Sequence, residues 1–277
     1  MAAETKRPAK RRRLIIGGVI LCLAAGFCWF ENTHLTVTEY TCPAPAGFEG
    51  YRIVQLSDTH DAQFGRDNAR LVTLAAAQEP DIIVLTGDMI DAYRTNIPRA
   101  IGLASALTDI CDVYYVNGNH EAWLSDADAQ ALYEGLADAG VTLLLDEQTT
   151  LSRGGDSITL LGIRDESLQS DMPRRMAEET ADAPMRILLA HEPQYLDEYA
   201  HCGYDLVLSG HAHGGQWRLP IIGGVIAPDQ GFDPVYYEGM HTEGDTHMVI
   251  SRGLGNSTIP VRLFNDPEIV VVTLTAE

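Results

Sequence analysis

His211 and His213, set two apart in the stretch Ser209-Gly-His-Ala-His-Gly-Gly-Gln216, carry the most explicit chemistry in the chain. In a locally extended segment the side chains at i and i+2 point the same way, so both imidazoles can address one spot. Gly210, Gly214 and Gly215 let the backbone turn around that spot. Alone, the pair reads equally well as a polar turn with two solvated rings. Four further polar blocks change the reading: Asp58-Thr-His60, Asp88, Asn119-His120 and His191. Each has a structural reading of its own, Asp88 as a helix cap, Asn119 as a turn residue, His191 as a satisfied core histidine. Together they gather five of the nine histidines with carboxylate and amide oxygens and no cysteine. That donor set suits manganese, iron or zinc. So many donors exceed what one ion takes and point to two ions sharing a carboxylate.

Each block follows a short apolar run that reads as a strand: Tyr51–Leu56, Ile82–Leu85, Val113–Val116, Arg186–Ala190 and Leu206–Leu208. Helical spacing separates several of them, over Asn68–Gln78, Ile97–Leu107, Asp126–Ala139 and Asp171–Ala183. Strands this apolar are covered on both faces, and such sheets bind ligands outside the carboxyl ends of their strands. The second half is richer in β-structure. Val141–Leu145 precedes a hairpin of Thr149–Ser152 with Ser157–Ile163 across Gly154-Gly155, and His247–Ser251 and Ile269–Leu274 close the chain. Arg218–Glu238 reads as a long loop.

In order and spacing, Asp58-x-His60, Gly87-Asp88, Gly118-Asn-His-Glu121, His191 and Gly210-His-x-His213 resemble the calcineurin-like metallophosphoesterases over residues 51–275. The basic leader, Arg218-Leu-Pro after the histidine block, and Gly253-Leu-Gly-Asn-Ser-Thr-Ile-Pro-Val-Arg262 are similar to the small bacterial members carried at a membrane. The resemblance implies an α/β fold, a four-layer α/β/β/α sandwich of two mixed sheets with the metals at one edge. It assigns Asp58, His60, Asp88 and His213 to a first divalent ion, and Asp88, Asn119, His191 and His211 to a second, with Asp88 bridging. Two such ions lower the pKa of a bridging water and clamp the phosphoryl oxygens during in-line attack. His120 would then be the acid that protonates the leaving oxygen. Asp91 would be the carboxylate that orients His120; a helix-capping Asp91 is an equal alternative. The implied reaction is hydrolysis of phosphate esters, phosphodiester or pyrophosphate bonds before phosphomonoesters. A non-catalytic, membrane-tethered binding module on the same fold would show as a lost ligand, and none is lost. Arg164 and Asp165 read as a solvated pair that reaches the site less readily. Trp217 and Ile221–Pro228 offer an apolar wall for a lipid or aryl group, so the expected substrate is a small-molecule or lipid phosphate ester.

Composition bounds the rest. Residues 1–13 form a basic leader with six Lys/Arg, and residues 14–30 carry no charge. Beyond residue 30 stand 13 basic and 38 acidic residues, a balance that repels nucleic acid. The uncharged run of 17 residues is short for a span and long for a cleaved signal, and no small-x-small site follows it. We read it as an uncleaved single-pass anchor, which by the positive-inside rule leaves the body outside the cytoplasm. Residues 31–50, with Pro43, Pro45 and Gly47, read as a connector to a catalytic domain over 51–277. Cys42, Cys111 and Cys202 form an odd set that selects no disulfide.

Overall fold

The computed structural model of the chain describes residues 6–257 and 259–276, with side chains from residue 11 onward. The first five residues of the basic leader lie outside them. Helix α1 (Lys6–Glu31) stands almost unburied along its apolar length. β1 (Thr36–Ala44), β2 (Arg52–Leu56), β3 (Ile82–Thr86), β4 (Asp112–Val116) and β5 (Thr142–Leu143) belong to a first sheet. Between them run α2 (Ala69–Ala76), α3 (Ile97–Thr108), a single turn α4 (Asn119–Ala122) and α5 (Asp126–Asp138). The helix starts are local chemistry: Asn96 accepts from Arg99 N at the head of α3, with Pro98 in the first turn, and Ser125 accepts from Asp128 N at the head of α5.

β6 (Glu147–Arg153) and β7 (Asp156–Gly162) form the hairpin expected at Gly154-Gly155. α6 (Met172–Glu179), β8 (Arg186–Leu189), α7 (Leu196–Cys202) and β9 (Leu206–Ser209) follow. An excursion then makes two small antiparallel pairs, β10 (Arg218–Leu219) with β11 (Gly223–Gly224) and β12 (Ile226–Ala227) with β13 (Gly231–Phe232). β14 (Gly239–Glu243), β15 (Thr246–Ile250) and β16 (Glu268–Ala276) complete the chain. The strand orders are β1-β16-β2-β3-β4-β5 and β14-β15-β9-β8-β7-β6, both sheets mixed.

One expectation is corrected here. Residues 31–50 are not a bare connector: β1 pairs in parallel with β16 over nine residues, from Thr36↔Glu268 to Ala44↔Ala276. Pro43 is tolerated because β1 is an edge strand, where a missing N–H need break no ladder.

Strand alternation distributes the apolar runs over three cores. Ile53, Val84 and Val116 face Leu160, Leu189 and Leu208 between the sheets. Val54, Leu85 and Tyr115 pack outward on Leu71, Leu103 and Leu132, while Leu161, Leu188 and Val207 pack outward on Met176, Leu196 and Tyr199. Both faces of both sheets are covered, which is why the strands read as continuous apolar runs. The result is the α/β/β/α sandwich.

Candidate active site

Strand register brings the polar blocks to one edge. Leu56 lies opposite Leu85 and Thr86 opposite Val116, so Asp58–His60, Asp88 and Asn119–His120 leave the first sheet together. In the second sheet Leu189 lies opposite Leu208, and His191 and His211 leave together. Gln55 ties the two edges, donating to Thr86 Oγ1 at 2.9 Å and to Ser209 O at 2.8 Å. The His211 N–H donates to both oxygens of Asp58 at 3.1 Å.

The approach is close enough to need glycine: a Cβ on Gly210 would collide with Ser57 and Asp58, and one on Gly118 with Asp88 and His191. It also strains the donors themselves. Asp58 (φ 51), His60 (φ 41), Asp88 (φ 51), His211 (φ 65) and His213 (φ 48) all take the left-handed region, at about 1–3 kcal/mol each. Five of the seven expected ligands thus hold a conformation that only the surrounding packing can impose.

Two groups of donors share Asp88. His60 Nε2 lies 3.1 Å from His213 Nε2, 3.5 Å from Asp88 Oδ2 and 3.9 Å from Asp58 Oδ1. His213 Nε2 lies 3.6 Å from Asp58 Oδ1. On the other side His191 Nε2 lies 3.3 Å from Asp88 Oδ2, and His211 Nδ1 lies 2.9 Å from Asn119 Oδ1. All seven side chains are buried. Burial holds the His60 imidazole down to about 3, and burial with the Arg262 charge holds His213 well below the ordinary range. Burial opposes charge on Asp88 and on His191, yet each keeps the other charged: Asp88 is lowered and His191 raised. Glu121 is pushed up to about 8 by burial and by the charge on Asp88.

This donor set fits a metal. His191 donates from Nδ1 to Thr86 O at 2.7 Å, so in the neutral ring, the form a cation in place of the proton would hold, Nε2 keeps a lone pair; that nitrogen is buried with no hydrogen-bond partner among the described residues. A buried nitrogen left bare 3.3 Å from a carboxylate oxygen is what a cation would satisfy. Asp58, His60 and His213, and Asp88, His191 and His211, each place one donor atom within 4.8 Å of the others.

His120 stands at the rim. Its Nδ1 accepts the Ala92 N–H at 3.0 Å, which puts the ring proton on Nε2, 3.0 Å from Ser257 Oγ. The ring meets His60 edge-on at 4.5 Å. Asp91 does not make the expected bond to it. Its carboxylate is 3.9 Å from His120 Nδ1 and is engaged by Tyr93 N at 2.9 Å and Arg94 Nη2 at 2.7 Å. Asp91 caps no helix either, since α3 begins at Ile97 with Asn96 as its cap; it holds the turn through Tyr93 and Arg94, and the Ala92 amide takes the place given to it on His120. A cavity of about 280 Å³ lined by Asp91, Tyr93, Arg94, Ser257 and Pro260 lies alongside. Arg164 turns to Asp146 at 3.8 Å, whereas Asp165 is largely buried and pushed up to about 7 by burial, against the pull of His191.

Residues 51–215 match the family described as calcineurin-like phosphoesterase. The chain belongs to that family. It is therefore a metallophosphoesterase, of a family that uses divalent metals. The chain is 33% identical over 286 residues to the uncharacterized metallophosphoesterase YkuE of Bacillus subtilis, covering 95% of this chain and 97% of that protein. It is 29% identical to the phosphodiesterase YaeI of Escherichia coli, covering 96% and 99%. A transmembrane protein with metallophosphoesterase domain from Danio rerio is 28% identical and covers 83% of this chain and 54% of its own length. Together with α1, that relative points to membrane association for this phosphoesterase. A dimetal phosphatase from Danio rerio shares the fold, with TM-score 0.50 at 14% identity, covering 74% of this chain and 88% of that one.

Sequence reasoning assigned no role to Glu121, Asp229 or Ser257. Glu121 accepts the N–H of Asp88 at 2.8 Å, Gly118 at 2.8 Å and Ile90 at 3.2 Å, and so shapes the turn that presents Asp88. It lay inside a recognised block, Gly118-Asn-His-Glu121. Asp229 Oδ2 reaches His211 Nε2 at 2.9 Å from the far side of the excursion, and no local pattern marks it.

Proposed function

We propose that this phosphoesterase hydrolyses phosphodiester or pyrophosphate bonds at a centre holding two divalent ions of manganese, iron or zinc. Asp58, His60, Asp88 and His213 would hold one and Asp88, Asn119, His191 and His211 the other. The observation that carries the reading is the placement of buried Asp88 between His60 on one side and His191 and His211 on the other. When bound, the ions supply Lewis-acid stabilisation of phosphoryl oxygens and a nucleophile at neutral pH. The chain's own residues do the remainder. Glu121 and the backbone it gathers hold Asp88 in place, and the low-dielectric edge strengthens every charge interaction at the phosphorus. His120, with its proton on Nε2 facing the cavity side, is placed to give that proton to the leaving oxygen.

Charge favours diesters. Arg94 is held by Asp91, and Arg262 donates to the carbonyls of Arg252, Asn265 and Gly255. A diester with one negative charge suits such walls better than a dianionic monoester. The Escherichia coli relative YaeI, a phosphodiesterase by name, supports the same preference. The body would lie outside the cytoplasm, tethered by α1.

The experiment is hydrolysis of bis(p-nitrophenyl) phosphate by the full chain after chelation and reloading with manganese or zinc, with elemental analysis of the same samples. The expected result is activity that returns with up to two metal equivalents. Full activity at one equivalent or none would overturn the two-ion reading.

A further inference from the structure

We propose that the tip of the β10–β11 hairpin and Phe264 seat in the bilayer surface beside α1, presenting the candidate site to phosphate esters carried on lipids. The substrate half of this rests on the phosphodiesterase reading above; the seating half does not.

The body is fixed to the end of α1. Glu31, buried, accepts the Asn265 N–H at 3.0 Å, and Asn32 Oδ1 accepts from Asn256 Nδ2 at 2.6 Å. Phe264 reaches back along the helix to Phe27, ring centroids 5.4 Å apart, and remains 54% exposed. Phe27 lies four residues inside Glu31, about 6 Å along the axis by the helical rise. The body's own surface at Phe264 is therefore level with the apolar part of α1, at the depth where a spanning helix leaves hydrocarbon.

The hairpin is joined to this point. Arg218 N donates to Leu263 O at 2.9 Å, and Trp217 Nε1 to Val261 O at 3.1 Å. Pairing of Leu219 with Gly223 leaves Pro220-Ile221-Ile222 as the tip. Ile221 is fully exposed and Ile222 two-thirds exposed, with Leu219 partly so. Ile221 also takes φ 76, a left-handed conformation that β-branched residues avoid. A strained turn that holds three aliphatic side chains away from the protein calls for an apolar surround, and the bilayer that α1 is long and apolar enough to enter is one.

The same backbone runs straight into the site. Gln216 ends the histidine block two residues before Arg218, and Val225 N donates back to Gly215 O at 3.1 Å. Ser257 and Pro260, which wall the cavity beside His120, belong to the loop that carries Phe264. Thirty-seven acidic residues against 13 basic ones beyond α1 argue that the seating is by apolar insertion, with no gain from anionic lipid.

The test uses the full chain in nanodiscs of phosphatidylcholine with a diazirine in the acyl chain. Photo-cross-links are expected at Leu219–Ile222 and Phe264 as well as along α1. Cross-links confined to α1 would overturn the seating. For the substrate half, hexadecyl p-nitrophenyl phosphate in phosphatidylcholine vesicles is compared with ethyl p-nitrophenyl phosphate in water, the scissile bond being the same. The long-chain ester should be turned over with at least about tenfold higher kcat/KM, and Leu219→Ser/Phe264→Ser should remove most of that advantage while leaving the ethyl ester within about twofold. Equal kcat/KM on both esters, or an advantage untouched by the double substitution, would sink it. Cross-links as expected with neither ester hydrolysed would leave the seating in place and overturn the phosphodiesterase reading instead.

Discussion

The strand-end cluster and the Trp217–Glu238 excursion meet at His213–Gln216, yet they are built on opposite principles. In the cluster every ligand candidate is buried, and the backbone of five of the seven is bent into a costly conformation by the two sheets around it. In the excursion the strands are two residues long, and Ile221, Ile222, Phe232 and Val235 stand in the open. The difference follows from what each must do. Charged and metal-binding groups gain most when they are fixed in advance within a low-dielectric setting. A surface that meets a fluid partner needs exposed apolar area and little else. Strain appears in both: the sheets enforce it at Asp58 and Asp88, while at Ile221 only a two-residue ladder does.

The comparison breaks most sharply at Asp88. If both donor groups depend on one carboxylate, Asp88→Asn should lower kcat/KM on bis(p-nitrophenyl) phosphate by roughly 10³-fold or more, as expected when several kcal/mol of Lewis-acid stabilisation go. Elemental analysis should show both equivalents reduced. Near-normal metal content in that variant would mean Asp88 is not shared. Substitutions at Leu219 and Phe264, by contrast, should leave the soluble diester almost unchanged.

A smaller effect separates the two donor groups from each other. His213→Ala removes a donor only from the side of Asp58 and His60, and His211→Ala only from the side of His191 and Asn119. Each should lose mainly one metal equivalent, read by elemental analysis after equilibrium dialysis. Loss of both from either variant would make the edge one indivisible site.

His120→Asn probes the rim between the two regions. Metals and substrate affinity should stay, and turnover should fall by roughly 10²–10⁴-fold on a diester with an alkoxide leaving group. p-Nitrophenolate is stable without a proton, so bis(p-nitrophenyl) phosphate should suffer least. An equal loss on both substrates, together with a missing metal, would make His120 a support for the cluster.

How much of this was legible in the sequence depends on range. Strand ends such as Leu56, Leu85 and Leu208 were plain because an apolar run stops at a glycine or a polar residue within a few positions. β1 was not: Val37, Tyr40 and Cys42 alternate weakly and two prolines interrupt, and its partner β16 lies more than 200 residues away. α7 has only seven residues, too few for a helical period to declare itself. The cluster was readable as residue types at strand ends, but its second layer was not. The Ala92 amide on His120 and the Asp229 carboxylate on His211 are contacts made by folding, and nothing near them in sequence announces the pairing.

Asp91 gives the smallest expected effect and the finest test of that second layer. The family resemblance implies at Asp91 a carboxylate that orients His120, whereas the geometry gives Nδ1 to the Ala92 amide and gives Asp91 to Tyr93 N and Arg94. Asp91→Asn keeps an oxygen for the Tyr93 N–H and weakens only the pair with Arg94, a side chain that is itself largely exposed. With the carboxylate buried and the guanidinium in solvent, the pair contributes on the order of 1 kcal/mol. Turnover should therefore fall by less than about fivefold, with no preference between alkoxide and p-nitrophenolate leaving groups. Were Asp91 to set the proton on His120, its loss would instead copy the leaving-group dependence of His120→Asn at reduced size. A Brønsted series of aryl and alkyl diesters run on Asp91→Asn decides between them: a slope unchanged from the parent assigns the orientation of His120 to the Ala92 amide, and a steeper one returns it to the carboxylate.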